Sequence, residues 1–304
     1  MDEAAAWASS SMVGMPLAGI LGAPVAPQFT DFVRWQASML TGPQGEQHWH
    51  YWQQKLVGEL PLLNLPTDRP RPPVQTYRGA SHSFQLRDGL ARQLRQLAQA
   101  ENVTLYTLVL AVFKLLLFRY STQEDLLIGT PMLGRNRADD EKTIGYFANP
   151  VVLRTNFTGN PTFKELLKQV RQTVIEAIEH QDYPFPLLVE RLQPRRDPSY
   201  SPLIQTLFIW DQPYAHGAQG SFHAKTGNGV YQLNQGMPAF EPFVVGQQGA
   251  PFDLTLTIFE IGDALSADFR YNVDLFDEKT IAHMQQHLQT LLQAVLTQPQ
   301  QRVL

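Results

Sequence analysis

Hydrophobic residues in this chain recur with two periods. From Phe163 to Ile178 they fall at helical spacing (Phe163, Leu166, Leu167, Val170, Val174, Ala177, Ile178), which predicts one core-facing helix. Asn160 is expected to cap it with Pro161 at its first position, and Pro184 and Pro186 to stop it just beyond His180. Leu187 to Leu192 reads as a short second element. Leu90, Leu94, Leu97 and Ala98 predict a helix opened by Asp88. The run from Leu105 to Phe118 is apolar on every side, as a buried helix is, and Thr104 stands at its N-cap. Ile281, Met284, Leu288, Leu291, Leu292 and Val295 mark a last helix capped by Asp277, with Phe276 and Ile281 placed to staple its entry. Phe32, Trp35, Met39, Trp49 and Trp52 suit two helices split at Gly42-Pro43.

The other period is two. Leu254, Leu256 and Ile258 alternate with polar residues, and after Gly262-Asp263 so do Leu265, Ala267, Phe269, Tyr271 and Val273, a hairpin pattern. Ser81–Leu86, Leu126–Pro131, Val151–Leu153 and Leu203–Trp210 are further strands, and Val230–Leu233 is a weaker candidate. Leu60 to Pro73 holds Pro61, Pro66, Pro70, Pro72 and Pro73 and is expected to run extended as a surface strap. Residues 1–28 show no period and are expected to be a loose lead; 213–249 should form a long mobile loop. Strands and helices alternate without strict βαβ order, which fits an α/β sandwich of one mixed sheet packed with helices.

The richest stretch runs from Ile144 to Leu203: IGYFANPVVLR, then the helix, then HQDYPFP and RRDPSYSPL. These resemble three successive motifs of nonribosomal peptide synthetase condensation domains: (I/V)GxFVNT, HQDxPFE and RDxSxxPL. Upstream, FTDFVRWQ (Phe29 to Gln36) resembles the family's YxDYAVWQ, and GRNR (Gly134 to Arg137) its GRxR turn. The chain departs from the pattern at Ala148, Pro150 and Pro186, where Val, Thr and Glu are usual. The resemblance implies a chloramphenicol-acetyltransferase-like two-layer sandwich. It further implies that residues 29–304 form a single half-domain, the C-terminal lobe, with the 213–249 loop placed as its latch.

The family's catalytic signature is HHxxxDG, N-terminal to YxDYAVWQ. Histidines stand here at 48, 50, 82, 180, 216, 223, 283 and 287, none adjacent to another. The expectation is therefore a partial condensation domain, inactive alone. The family forms an amide between a carrier-bound thioester donor and an amine acceptor. Implied partners are carrier domains and an N-terminal lobe on another polypeptide. The phosphopantetheine arms belong to the carriers, and no cofactor is expected on this chain. Alternatives are a non-catalytic docking module and a truncated fragment without independent function.

Composition narrows other classes. At 304 residues and 43% hydrophobic, the chain can bury a substantial core. A net charge of −4 with no basic stripe argues against nucleic acid. Zero cysteines exclude disulfides and thiolate chemistry and fit a cytoplasmic protein. Asp2 and Glu3 make Met12 to Val25 a poor signal peptide. The Leu105–Phe118 run falls short of the about 20 residues a bilayer needs and is interrupted by Lys114, so no membrane span is expected.

Candidate chemistry is sparse. No catalytic residue is assigned and no metal is expected: His48 and His50 read as a helical surface without a third ligand. His180 reads as a helix-terminal residue favoured by the dipole, and Asp182 as an acceptor for the next turn. The aromatics Tyr146, Phe147, Phe157, Tyr183 and Phe185 read as core. Tunnel or lobe-junction candidates are Arg135, Arg137, Gly145, Phe147, Asn149, His180, Asp182, Arg196 and Asp197. In the family an arginine of the GRxR region pairs with the Asp of HHxxxDG. Two readings stand for Arg135 and Arg137: substitute partners among Asp139, Asp140 and Glu141, or solvation. An uncovered junction face predicts self-association, or folding back of the lead.

Overall fold

The computed structural model describes residues 27–211 and 248–304, apart from 88, 142, 262 and 263. The expectations for the lead and the latch-like loop (but for residues 27–28 and 248–249), the Val230–Leu233 strand, the Gly262-Asp263 turn and Asp88 lie outside them. In chain order the elements are α1 (Phe29–Leu40), α2 (Pro43–Lys55), β1 (Gly79–Gln85), α3 (Leu90–Ala100), α4 (Leu105–Ser121), β2 (Asp125–Met132) and β3 (Asn149–Asn156). There follow α5 (Phe163–Glu179), α6 (Phe185–Leu192), β4 (Thr206–Asp211), β5 (Leu254–Ile261), β6 (Ala264–Asn272) and α7 (Glu278–Thr297).

The strands form one mixed sheet in the order β1-β6-β5-β4-β2-β3. β2, β4 and β5 run parallel, while β3, β6 and β1 pair antiparallel to their neighbours. Helix α4 occupies the centre of the helical layer, buried from Thr107 to Phe118, and packs on α3, α5 and α7. Its Phe113 ring reaches Phe208 of β4 and Phe269 of β6. The Thr104 hydroxyl accepts from Thr107 N–H at 3.1 Å, the expected cap. Phe276 and Ile281 are both buried at the entry to α7, as the staple requires.

Several local details differ from the sequence pattern. The cap of α5 is Thr162, not Asn160: Thr162 Oγ1 accepts from Glu165 N–H, and Glu165 accepts from Thr162 N–H, a capping box. Asn160 has φ +52° and instead bonds Leu304 N–H, so Pro161 precedes the helix. Ile178 turns outward with Ile175, because the buried arc of α5 is already filled by the six residues from Phe163 to Ala177. Leu203 (φ +62°) lies in a turn, and β4 begins only at Thr206. Asp277 occupies its cap position, but its carboxylate pairs with Arg69.

Lys114 does not merely interrupt an apolar run. It lies fully buried, and its Nζ donates to the Leu153 carbonyl at 3.0 Å and to Thr155 Oγ1. No single helix among the described residues is long and apolar enough to cross a membrane; a bent pair, α3 with α4, passes by length and composition only.

Burial pushes the Lys114 ammonium down to about 7 from an ordinary value of 10.5. Above about 7 the folded state holds this lysine neutral while the unfolded chain still binds the proton. Stability should therefore rise from pH 7 towards 10. Measured against Lys114→Met in denaturant titrations, the parent chain should gain up to about 1.4 kcal/mol per pH unit over that window. A constant difference between the two would place the charge on the folded-state lysine throughout.

Candidate functional site

Three connections converge beside β2 and β3. The first is the GRNR turn that leaves β2. Gly134 has φ +67°, and a Cβ there would lie 2.1 Å from the Phe147 carbonyl oxygen, so only glycine fits. The second runs from Ile144 to Ala148 into β3. Gly145 abuts the Phe29 ring, whose Cδ2 would lie 2.2 Å from an added Cβ. Phe29, Phe32 and the buried Phe147 form an aromatic cluster that ties α1 to this loop. The third is the HQDYPF turn between α5 and α6.

Asn149 joins the second and third. Its Nδ2 donates to the carbonyls of Gln181 and Tyr183, both at 2.8 Å, and its Oδ1 accepts from Phe185 N–H at 2.9 Å. Asn136 joins the first and third, donating to Asp182 Oδ1 at 2.7 Å. Asp182 thus serves a side chain of the GRNR turn, not the backbone turn after it. A carboxylate is a stronger acceptor than the turn needs, and the GRNR amide is within reach.

Neither arginine is simply solvated. Arg135 donates to the carbonyls of Asp140 and, at 2.7 Å, of Thr143, and lies 4.2 Å over the Phe147 ring. Arg137 pairs with Asp139 at 3.6 Å and lies 5.0 Å over Trp35. The acidic run therefore supplies one arginine with a carboxylate and the other with backbone oxygen. Arg137 Nη1 remains buried without a hydrogen-bond partner among the described residues.

His48 is buried, against the surface expectation, while His50 is exposed as expected. His48 Nδ1 lies 2.9 Å from His180 Nδ1, so one ring donates and the other accepts. His180 stacks on Tyr51 (centroids 4.0 Å apart), and its carbonyl accepts from Trp52 Nε1 at 3.1 Å. Burial lowers the pKa of both histidines; His48 lowers His180 further, and Asp182 opposes the effect on His48. At His180 the nearby carboxylates of Glu179 and Glu176 oppose the lowering without reversing it. No group of three or more His, Asp or Glu residues suited to a metal occurs among the described residues.

Among the aromatics expected in the core, Phe147, Phe157 and Tyr183 are buried and Phe185 half-buried. Tyr146 is 79% exposed, beside Ile144 at 95% and Leu133 at 65%. Arg196 and Asp197 stand apart from the cluster, on the wall of a cleft of about 1140 Å³ between the strap and the RDPSYSPL turn. Asp197 accepts from Ser199 N–H and Oγ at 2.9 and 2.6 Å, bonds that hold its carboxyl below the usual range. Arg71, Asp253 and Tyr200 brace the same turn, with the Arg71 guanidinium 4.0 Å over the Tyr200 ring and ion-paired to Asp253.

A condensation-domain family model matches residues 21–304, and the chain belongs to that family. A linear gramicidin synthase of Brevibacillus parabrevis is 42% identical over 276 residues, 91% of this chain but 5% of that protein. Chondramide synthase of Chondromyces crocatus is 39% identical, with 91% and 7% covered. Among solved structures, the four-domain nonribosomal peptide synthetase AB3403 superposes with TM-score 0.83 at 27% identity, covering 90% of this chain and 21% of that one. The teicoplanin X-domain, solved in complex with OxyB, gives 0.78 at 28%, with 92% and 60% covered. The condensation domain of the polyketide synthase MokA, at 20% identity and TM-score 0.77, shares the fold, and the chain spans 65% of it.

Two outcomes follow from the geometry. Asn149→Ala should cost about 2–4 kcal/mol in urea unfolding, because it strands the Gln181 and Tyr183 carbonyls and the Phe185 N–H. Because the folded state resists protonating the histidine pair, stability held above pH 6.5 is lost as the pH falls through the depressed folded-state values. Melting between pH 7.5 and 5 should therefore fall less for His48→Gln than for the parent; equal falls would mean the pair is not the acid-sensitive element.

Proposed function

We propose that this chain is the C-terminal lobe of a condensation domain, working with a lobe that carries HHxxxDG. The carrying observation is Arg137. Its Nη1 is buried without an acceptor, which favours a carboxylate arriving from outside the described residues, as the Asp of HHxxxDG does in the family. The exposed Ile144, Tyr146 and Leu133 border the same turn and favour a covering surface there. The reaction joins an acceptor amine nitrogen to the donor thioester carbonyl. The C–S bond breaks, and the carrier thiol leaves with the proton lost by nitrogen. This lobe supplies wall and positioning for carrier-borne phosphopantetheine arms, and the partner lobe supplies the histidine.

A second reading is a docking module without chemistry. The likeness to the teicoplanin X-domain, solved with OxyB, favours it.

The test mixes the chain with an HHxxxDG-bearing lobe polypeptide and with donor- and acceptor-loaded carriers. Amide product is expected from the mixture and none above the uncatalysed rate from the chain alone. Arg137→Ala should weaken the lobe complex at least tenfold by sedimentation. A complex without product supports the docking reading. Product from the chain alone, lost on His180→Ala, would overturn the proposal.

A further inference from the structure

Helix α5 carries an outward stripe that neither the fold nor the site uses. Lys168, Arg171 and Ile175 follow one another at spacings of three and four, and Ile178 and Glu179 lie three and four residues beyond Ile175, so the five share one face of the helix. Ile175 and Ile178 are 37% and 47% exposed. They form the rim of a cleft of about 970 Å³, whose far wall includes Asn102 and the exposed Leu133. Elsewhere on α5 the charges are matched: Lys164 pairs with Glu101 and Glu176 with Lys55. Lys168, Arg171 and Glu179 form no ion pair among the described residues. Along the stripe the order is cationic, apolar, anionic.

That order is complementary to itself when reversed. In an antiparallel pair of α5 helices related by a two-fold axis at Ile175, residues equally far from Ile175 face one another. Arg171 then meets the partner's Glu179, and Glu179 the partner's Arg171. Ile175 meets its own copy on the axis, flanked by Ile178 from both sides. Lys168 reaches the C-terminal end of the partner helix, whose dipole favours a cation. A parallel pair would instead set Arg171 against Arg171.

We propose that the outer face of α5 is a self-association surface, and that its occupant is a second copy of this chain packed antiparallel across Ile175. The contact is isologous, so it closes at the dimer. One helix pair with the cleft rim lies at the small end of specific interfaces, so the dimer forms reversibly. This surface is separate from the Ile144, Tyr146 and Leu133 face of the proposed lobe junction in all but Leu133, and it does not depend on that reading.

The absence of cysteine makes a clean test. Under mild oxidation Ile175→Cys should give a disulfide-linked dimer, since a residue on the axis meets itself; Val33→Cys, on the more exposed Val33 of α1, should not. In sedimentation of the full chain from about 5 to about 500 µM, a range suited to weak interfaces, the parent should form dimer. Ile175→Asp with Ile178→Asp should weaken it at least tenfold without lowering the melting temperature. Arg171→Glu should weaken it at least threefold, and adding Glu179→Arg should restore it. Four results would each overturn the proposal: a parent monomeric throughout, a dimer untouched by the double Asp variant, no rescue by the charge swap, or an Ile175→Cys thiol that neither crosslinks nor reacts with a thiol reagent. The last would put another part of the chain on the stripe.

Discussion

The side-chain amide of Asn149 is the point on which the candidate site depends. It donates to two carbonyls of the HQDYPF turn and accepts from the first N–H of α6. A turn carrying prolines at 184 and 186 cannot satisfy its own backbone by continuing a helix, so an outside group must do it. Asn has both an acceptor and two donors on one rigid plane, which no aspartate or serine offers. The rest of the fold fixes where that plane stands. β3 is held in register by β2, which packs against α4, itself locked to the sheet through Phe113. Core packing thus sets the position of one amide, and the amide sets the turn that presents His180 and Asp182.

Burial competes with charge at several places, and each is resolved differently. Lys114 has hydrogen-bond acceptors but no carboxylate, so its charge is suppressed. His48 and His180 share one N–H between two rings, which favours neutrality. Arg137 cannot neutralise, because guanidinium does not deprotonate in proteins. It is left with Asp139 at 3.6 Å, an aromatic face and one unsatisfied nitrogen. His48 Nε2 and Arg137 Nη1 are both buried without a partner among the described residues, but only the arginine carries a fixed charge that an incoming carboxylate would meet. Electrostatics therefore single it out from Arg135, whose Nη1 donates to the Asp140 and Thr143 carbonyls and whose Nη2 donates to that of Gly145.

Local pattern carried much of the architecture. The alternation in Leu254–Ile258 and Leu265–Tyr271, the apolar run of α4 with its Thr104 cap, and the amphipathic faces of α5 and α7 follow from periods of two and 3.6 alone. What escaped was either a choice between neighbours or a distant contact. Asn160 and Thr162 both have capping chemistry; Glu165, three residues after Thr162, was the readable signal that separates them. The His48–His180 pair and the Lys114–Thr155 bond join residues far apart in sequence, and nothing in a local window announces them. Ile178 fits the inward period, but the arc of a helix that a single sheet face can cover is limited, and α5 exceeds it.

That excess links helix geometry to association. An arc wider than the core can take leaves apolar side chains in water unless a second surface covers them, and on α5 the leftover residues lie between charges of opposite sign that form no ion pair among the described residues. On the GRNR and IGYF loops the leftover residues, Ile144 and Tyr146, instead sit beside an arginine with one nitrogen that has no acceptor among the described residues. Apolar exposure is common to both faces, so it cannot decide what covers either one. The charges can. A face with both signs in reversible order is complementary to its own copy, whereas a face whose arginine keeps one unbonded nitrogen suits a foreign carboxylate. Occupation of one face therefore need not exclude occupation of the other, except at Leu133, where the two come together.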